Sequence, residues 1–130
     1  MIPFLDLKAQ QRRIAADLRA RLDRVLDHCQ FILGPEVQAF ERECAAYLGV
    51  RHALGISSGT DAILLALMAL GIGPGDEVLC PSFTFFATAG CVARTGAKPV
   101  FCDVHADTFN LDVADAARWL TPRTKAILPV

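Results

Sequence analysis

Ile14, Leu18, Leu22, Val25 and Leu26 recur at helical spacing, and Arg12, Arg13, Asp17, Arg19, Asp23 and Asp27 fill the other face. This pattern predicts an amphipathic helix with a solvated charged side, capped at its start by Asp6. A connector over 28–37, HCQFILGPEV, interrupts it. Gly34-Pro35 punctuates the connector, with Pro35 at a first helical position. A second helix is expected next, with Val37, Phe40, Cys44, Tyr47 and Leu48 inward and Gly49 as its stop.

From Val50 onward short apolar runs alternate with helical ones. Strands are expected at 52–56, 78–80, 99–103 and 125–130, and helices at 60–70, 84–95 and 112–120. Gly71 ends the first of these helices, a turn covers 71–77, and Asp112 caps the last helix. Strands alternating with helices of this size indicate a mostly parallel α/β sheet with helices on both faces. The helix over 62–70, AILLALMAL, is apolar all round and needs covering on every side. The strand at 125–130 has no following turn or cap, and an uncovered edge is unusual in a finished domain. The expectation is the N-terminal piece of a larger domain that also dimerises. It divides into a helical segment with a connector over 1–49 and an incomplete α/β domain over 50–130.

Composition narrows the classes. Of 130 residues, 53% are apolar and 21% charged, with a net charge of −1. Disorder is excluded, and bulk charge supplies no drive toward nucleic acid or an anionic membrane. Cys29, Cys44, Cys80, Cys91 and Cys102 make an odd number without C-x-x-C spacing. This argues for a reducing compartment, the cytoplasm, and against a disulfide framework or zinc site. His28, His52 and His105 share no metal-ligand spacing. The start, MIPFLDLKAQQRR, lacks the order of a signal peptide, and no apolar stretch nears the ~20 residues that span a bilayer.

Two segments carry candidate chemistry. In the first, a predicted strand runs into Ser57-Ser58-Gly59-Thr60-Asp61 and a helix begins. A helix N-terminus offers unpaired N–H groups and partial positive charge; Gly59 permits close approach, and Ser58 and Thr60 add hydroxyls. That suits a phosphate. The same residues also serve as an ordinary helix cap. Neither G-x-G-x-x-G nor the P-loop pattern occurs here, against nicotinamide or ATP. In the second segment, PSFTFFATAG follows a strand, at the carboxyl edge where α/β sheets bind ligands. Thr84 is its expected cap. Phe83, Phe85 and Phe86 read by themselves as core, though one exposed ring there would stack on a planar heteroaromatic.

Taken together, SSGTDAILLALMALGIGPGDEVLCPSFTFFATA, GAKPVFCDV, TPRTKAILPV, IPFLDLKAQ and QFILGPEV resemble the DegT/StrS family of sugar-nucleotide aminotransferases. The resemblance implies the N-terminal part of a fold type I transferase large domain, with pyridoxal 5′-phosphate as cofactor. It implies that Ser58, Gly59, Thr60 and Asp61 form the turn holding the cofactor phosphate, and that Phe85 stacks on its ring. Cys29 and Phe31 fall in the connector that lines the sugar-nucleotide pocket. Cys29 stands where such members carry Gly, a departure expected to narrow the pocket or force another backbone.

The resemblance places the Schiff-base lysine beyond Val130, so these residues alone are expected to be inactive. Lys8, Lys98 and Lys125 match no catalytic motif. The implied reaction transfers an amino group from glutamate to a nucleotide-linked keto sugar, UDP-linked and 3-keto by the connector, for polysaccharide synthesis. A dTDP-linked sugar is the nearest alternative substrate. A cofactor-dependent sugar 3-dehydratase and a non-catalytic regulatory member are the alternative functions. A homodimer is the implied assembly.

Overall fold

A computed structural model describes residues 4–130. Residues 1–3, which open the first family-like motif, lie outside the described residues. The chain forms two compact units, Met1–Gly55 and Ile56–Val130.

The first unit holds α1 (Leu7–His28) and α2 (Pro35–Leu48). The Asp6 side chain accepts from Ala9 N–H at 3.0 Å and starts α1. Pro35 opens α2, where its missing N–H costs nothing, and Gly49 closes it at φ 65°. The expected inward positions of α2 are only partly covered: Val37 and Cys44 are half-buried, whereas Phe40, Tyr47 and Leu48 are exposed. The apolar stripe of α1 is also largely exposed, because nothing among the described residues covers it.

In the connector, Gly34 is buried, and a Cβ there would lie 2.2 Å from the Gln30 carbonyl oxygen, so only glycine fits. His28 ties the connector together. Its Nδ1 accepts from Gln30 N–H at 3.0 Å, which leaves Nε2 to donate to Glu36 at 3.1 Å. That bond holds the Glu36 carboxyl below its ordinary value.

The second unit holds α3 (Gly59–Ala69), β1 (Glu77–Pro81), α4 (Ala87–Arg94), β2 (Lys98–Cys102), α5 (Val113–Arg118) and β3 (Thr124–Ile127). The strands are all parallel, in the order β2-β1-β3. The chain passes from β1 to β2 on one side, then crosses back to β3 on the other. Right-handed crossovers in opposite directions must use opposite faces of the sheet. Accordingly Val78 packs with Leu67, Ala87, Cys91 and Val92 of α3 and α4, and Leu79 packs with Cys102 and Ala116 under α5. Successive β1 side chains thus enter different cores. Burial pushes the Cys80 thiol up to about 11, so it behaves as a small apolar group.

Three expectations are corrected. Residues 52–56 form no strand, because an extended segment needs a neighbouring strand and none pairs with it among the described residues. Gly55 N–H instead donates to Glu41 Oε1 at 2.8 Å. The helix expected from Thr84 begins at Ala87, because the Thr84 hydroxyl bonds the Thr88 hydroxyl at 2.9 Å rather than a backbone N–H. Phe83, Phe85 and Phe86 are all exposed rather than core. The all-round apolar helix needs more cover than the described residues supply, with Leu67 buried and Leu65 and Met68 exposed.

Glu77, expected in a turn, is the buried first residue of β1. Its carboxylate accepts from Thr121 Oγ1 at 2.6 Å and from Arg123 Nη2 at 2.7 Å, tying β1 to the approach of β3. The Thr121 bond, then Arg123, hold its carboxyl below the ordinary value. A depressed folded value means the unfolded chain takes up the proton first. The contribution of Glu77 is therefore complete above pH 4.5, its ordinary value, and is lost as pH falls through its folded value. Glu77→Gln is expected to flatten the acid limb of a melting-temperature profile. An unchanged acid limb would exclude this role.

Candidate functional site at the start of α3 and α4

The turn before α3 is built by its own side chains. Ser58 is the N-cap, with Oγ accepting from Asp61 N–H at 3.1 Å. The Ser58 hydroxyl donates in turn to Asp61 Oδ2 at 3.0 Å, and the Ser57 hydroxyl to the same oxygen at 2.6 Å. The Ser57 bond and then the Ser58 bond keep the Asp61 carboxyl below its ordinary value. Both serine protons are thereby committed to Asp61.

What the turn leaves open is the backbone. Gly59 N–H, Thr60 N–H and the Thr60 hydroxyl have no hydrogen-bond partner among the described residues. A Cβ built on Gly59 would meet nothing within 4 Å, so the approach is clear. Outward N–H groups, the positive helix end and a free hydroxyl make a donor set for a phosphate.

Phe85 belongs to the same place. A cavity of about 480 Å³ is lined by Thr60, Phe85, Phe86, Gly90, Cys91 and Arg94, among others. The sheet brings α4 beside α3, and with it two residues 25 positions apart in the chain. Both rings are exposed, Phe85 77% and Phe86 83%. A Cβ on Gly90 would sit 2.9 Å from the Phe86 ring, so Phe86 lies against the surface of α4.

Two features were not read from the sequence. Arg94 lines the cavity and its charge favours the ionised form of Asp61. Phe83 pairs with Phe109, with ring centroids 5.4 Å apart at 40°. Phe109 sits at φ 57°, which bends the loop after β2 back toward the end of β1. The Thr-Phe-Asn run at 108–110 signals a turn but not which ring it would meet.

Cys29 and Phe31 lie in the first unit. Cys29 closes α1 in the left-handed region at φ 54°, its N–H donating to Val25 O at 3.0 Å. A side chain costs energy in that conformation, where glycine is at ease. Cys29 thus occupies a conformation that glycine favours. Its thiol donates to Leu26 O at 3.0 Å. Cys29→Gly is expected to raise stability by about 1 kcal/mol, read as a higher denaturant midpoint. A fall would mean that the thiol bond outweighs the strain. Phe31 is exposed.

Known proteins resemble this chain along nearly its whole length. A model of the DegT/DnrJ/EryC1/StrS aminotransferase family matches residues 12–130. A UDP-2-acetamido-2-deoxy-3-oxo-D-glucuronate aminotransferase of Pseudomonas aeruginosa is 51% identical over all of this chain and 36% of its own length. A dTDP-3-amino-3,4,6-trideoxy-alpha-D-glucose transaminase of Streptomyces venezuelae is 50% identical over 99% of this chain and 34% of its own. The crystal structure of S. venezuelae DesV in complex with a ketimine intermediate superposes with TM-score 0.94. It is 49% identical over 98% of this chain and 34% of that one. The chain thus spans about a third of the length of the curated relatives it matches. Among the described residues, no helix is long and apolar enough to cross a membrane.

Proposed function

Because this chain belongs to the DegT/DnrJ/EryC1/StrS aminotransferase family, we propose that it supplies the cofactor-anchoring part of a sugar-nucleotide aminotransferase. The observation that carries this reading is the single cavity shared by the α3 turn at Thr60 and the Phe85 ring. Its open N–H groups and exposed ring fit pyridoxal 5′-phosphate, which when bound supplies the electron sink for amino transfer.

The residues of this chain bind and orient. Gly59 and Thr60 hold the phosphate through backbone N–H groups, and the Thr60 hydroxyl adds a third donor. One anion–helix contact is worth ~0.3–1 kcal/mol when exposed and up to ~2 when partly buried, so the anchor needs several such bonds. Ser58 and Asp61 keep the turn in shape. Phe85 limits the tilt of the cofactor ring. Cys29 and Phe31 contact the sugar nucleotide.

The substrate is a UDP-linked 3-keto sugar with glutamate as amino donor, in surface-polysaccharide synthesis. The name of the 51%-identical relative supports this choice. A dTDP-linked sugar is the second reading, favoured by the 50%-identical transaminase. The working protein is a cytoplasmic homodimer.

The test uses the intact protein that carries this chain. Its absorption spectrum is expected to show bound cofactor, and glutamate is expected to convert it to the amino form. Without bound cofactor, the assignment of Gly59, Thr60 and Phe85 fails. With cofactor that glutamate leaves unchanged, the dehydratase or regulatory alternative takes its place.

A further inference from the structure

Cys91 lies in α4 and is 1% exposed. A buried cysteine ordinarily serves as a small apolar filler. This one also donates: its Sγ lies 3.2 Å from the Thr60 carbonyl oxygen. A carbonyl oxygen has two lone pairs, and helix geometry commits one of them at Thr60 to the N–H four residues on. The thiol takes the other.

The Thr60 carbonyl shares a peptide group with the Asp61 N–H, which donates to Ser58 Oγ at 3.1 Å. Ser58 then donates to Asp61 Oδ2 at 3.0 Å. A bond accepted by the carbonyl polarises the N–H of the same peptide, so the successive bonds strengthen one another. The thiol is thus the buried end of a hydrogen-bonded chain that runs through the turn to its cap. Phe85 stands just ahead of the helix that carries this thiol, and Cys91, Thr60 and Phe85 line one cavity.

We propose that Cys91 is a positioning residue for the anchoring turn. Its thiol holds the Thr60 backbone at a set height relative to the Phe85 ring, so that phosphate and ring contacts are met together. This rests on the reading of Thr60 and Phe85 as cofactor contacts. Alanine or valine at position 91 would fill space without donating, whereas serine keeps a donor.

The test is reconstitution of the intact apoprotein with pyridoxal phosphate, and separately with pyridoxal, which lacks the phosphate. Cys91→Ala is expected to weaken pyridoxal phosphate binding roughly threefold to tenfold, the effect of losing one hydrogen bond. Cys91→Ser is expected to stay within about twofold of the parent, since its hydroxyl still donates. Pyridoxal binding is expected to be unchanged in both. Unchanged phosphate-form binding in Cys91→Ala, a parallel loss for pyridoxal, or an equal loss in Cys91→Ser would each overturn the proposal. Should Cys91→Ala not fold, Cys91→Val provides the same comparison. Thr60→Ala separates the two readings. If it leaves pyridoxal phosphate binding intact, the cofactor assignment fails. If it weakens binding while Cys91→Ala does not, only the role of Cys91 fails.

Discussion

Leu79→Ala is expected to cost about 2–5 kcal/mol of stability, the range for deleting a buried leucine side chain. Leu79 is fully buried in the central strand and packs with Cys102 and Ala116, with Val100 and Leu111 against them. The cost depends on whether the surroundings can collapse into the vacated space. Here they are held. The Asp112 side chain caps α5 through Ala114 N–H at 2.8 Å, and Asp115 accepts from Asp103 N–H at 2.8 Å. With α5 tethered at both points, the cavity persists and the upper part of the range applies. Urea denaturation with an unchanged slope and a lowered midpoint would show it. A loss below about 1 kcal/mol, under the leucine-to-alanine range, would mean that α5 moves in to fill the gap.

Phe85→Ala is expected to lower cofactor affinity in the intact protein about tenfold, and Phe86→Ala by much less. The two phenylalanines are adjacent and both exposed, so exposure does not separate them. Phe86 lies against Gly90 at the start of α4, and Phe85 is the ring proposed to meet a planar ligand. Equilibrium titration of the apoproteins with pyridoxal phosphate measures both. Equal losses would mean that the wrong ring has been assigned.

Much of the local architecture was legible in the sequence because its causes lie within one turn of the chain. The Asp6 and Asp112 caps, the Pro35 start and the Gly49 stop each satisfy backbone groups a few residues away. The strands at 77–81 and 98–102 lie within a residue of their expected positions, since β-rich apolar runs between turn signals have few alternatives, whereas the last, expected over 125–130, ends at Ile127. The stretch expected as a strand at 52–56 had the right pattern, but a strand exists only with a partner and none pairs with it among the described residues. Glu77 was misread for a related reason. A carboxylate next to Gly75-Asp76 looks like a turn residue until Thr121 and Arg123, more than 40 positions later, take it up.

The candidate site divides in the same way. By itself the sequence determined a helix start within the Ser57–Asp61 run, the alternation of strands and helices, and a motif set specific enough to indicate the family. These are matters of residue type and short spacing. The choice of Phe85 came from its place in the motif; only the tertiary structure decided that Thr60 and Phe85 share a cavity. It also decided that the Cys91 thiol reaches the Thr60 carbonyl. Those facts depend on where parallel packing sets α4 beside α3, and a distance between helices is written in no local stretch of chain.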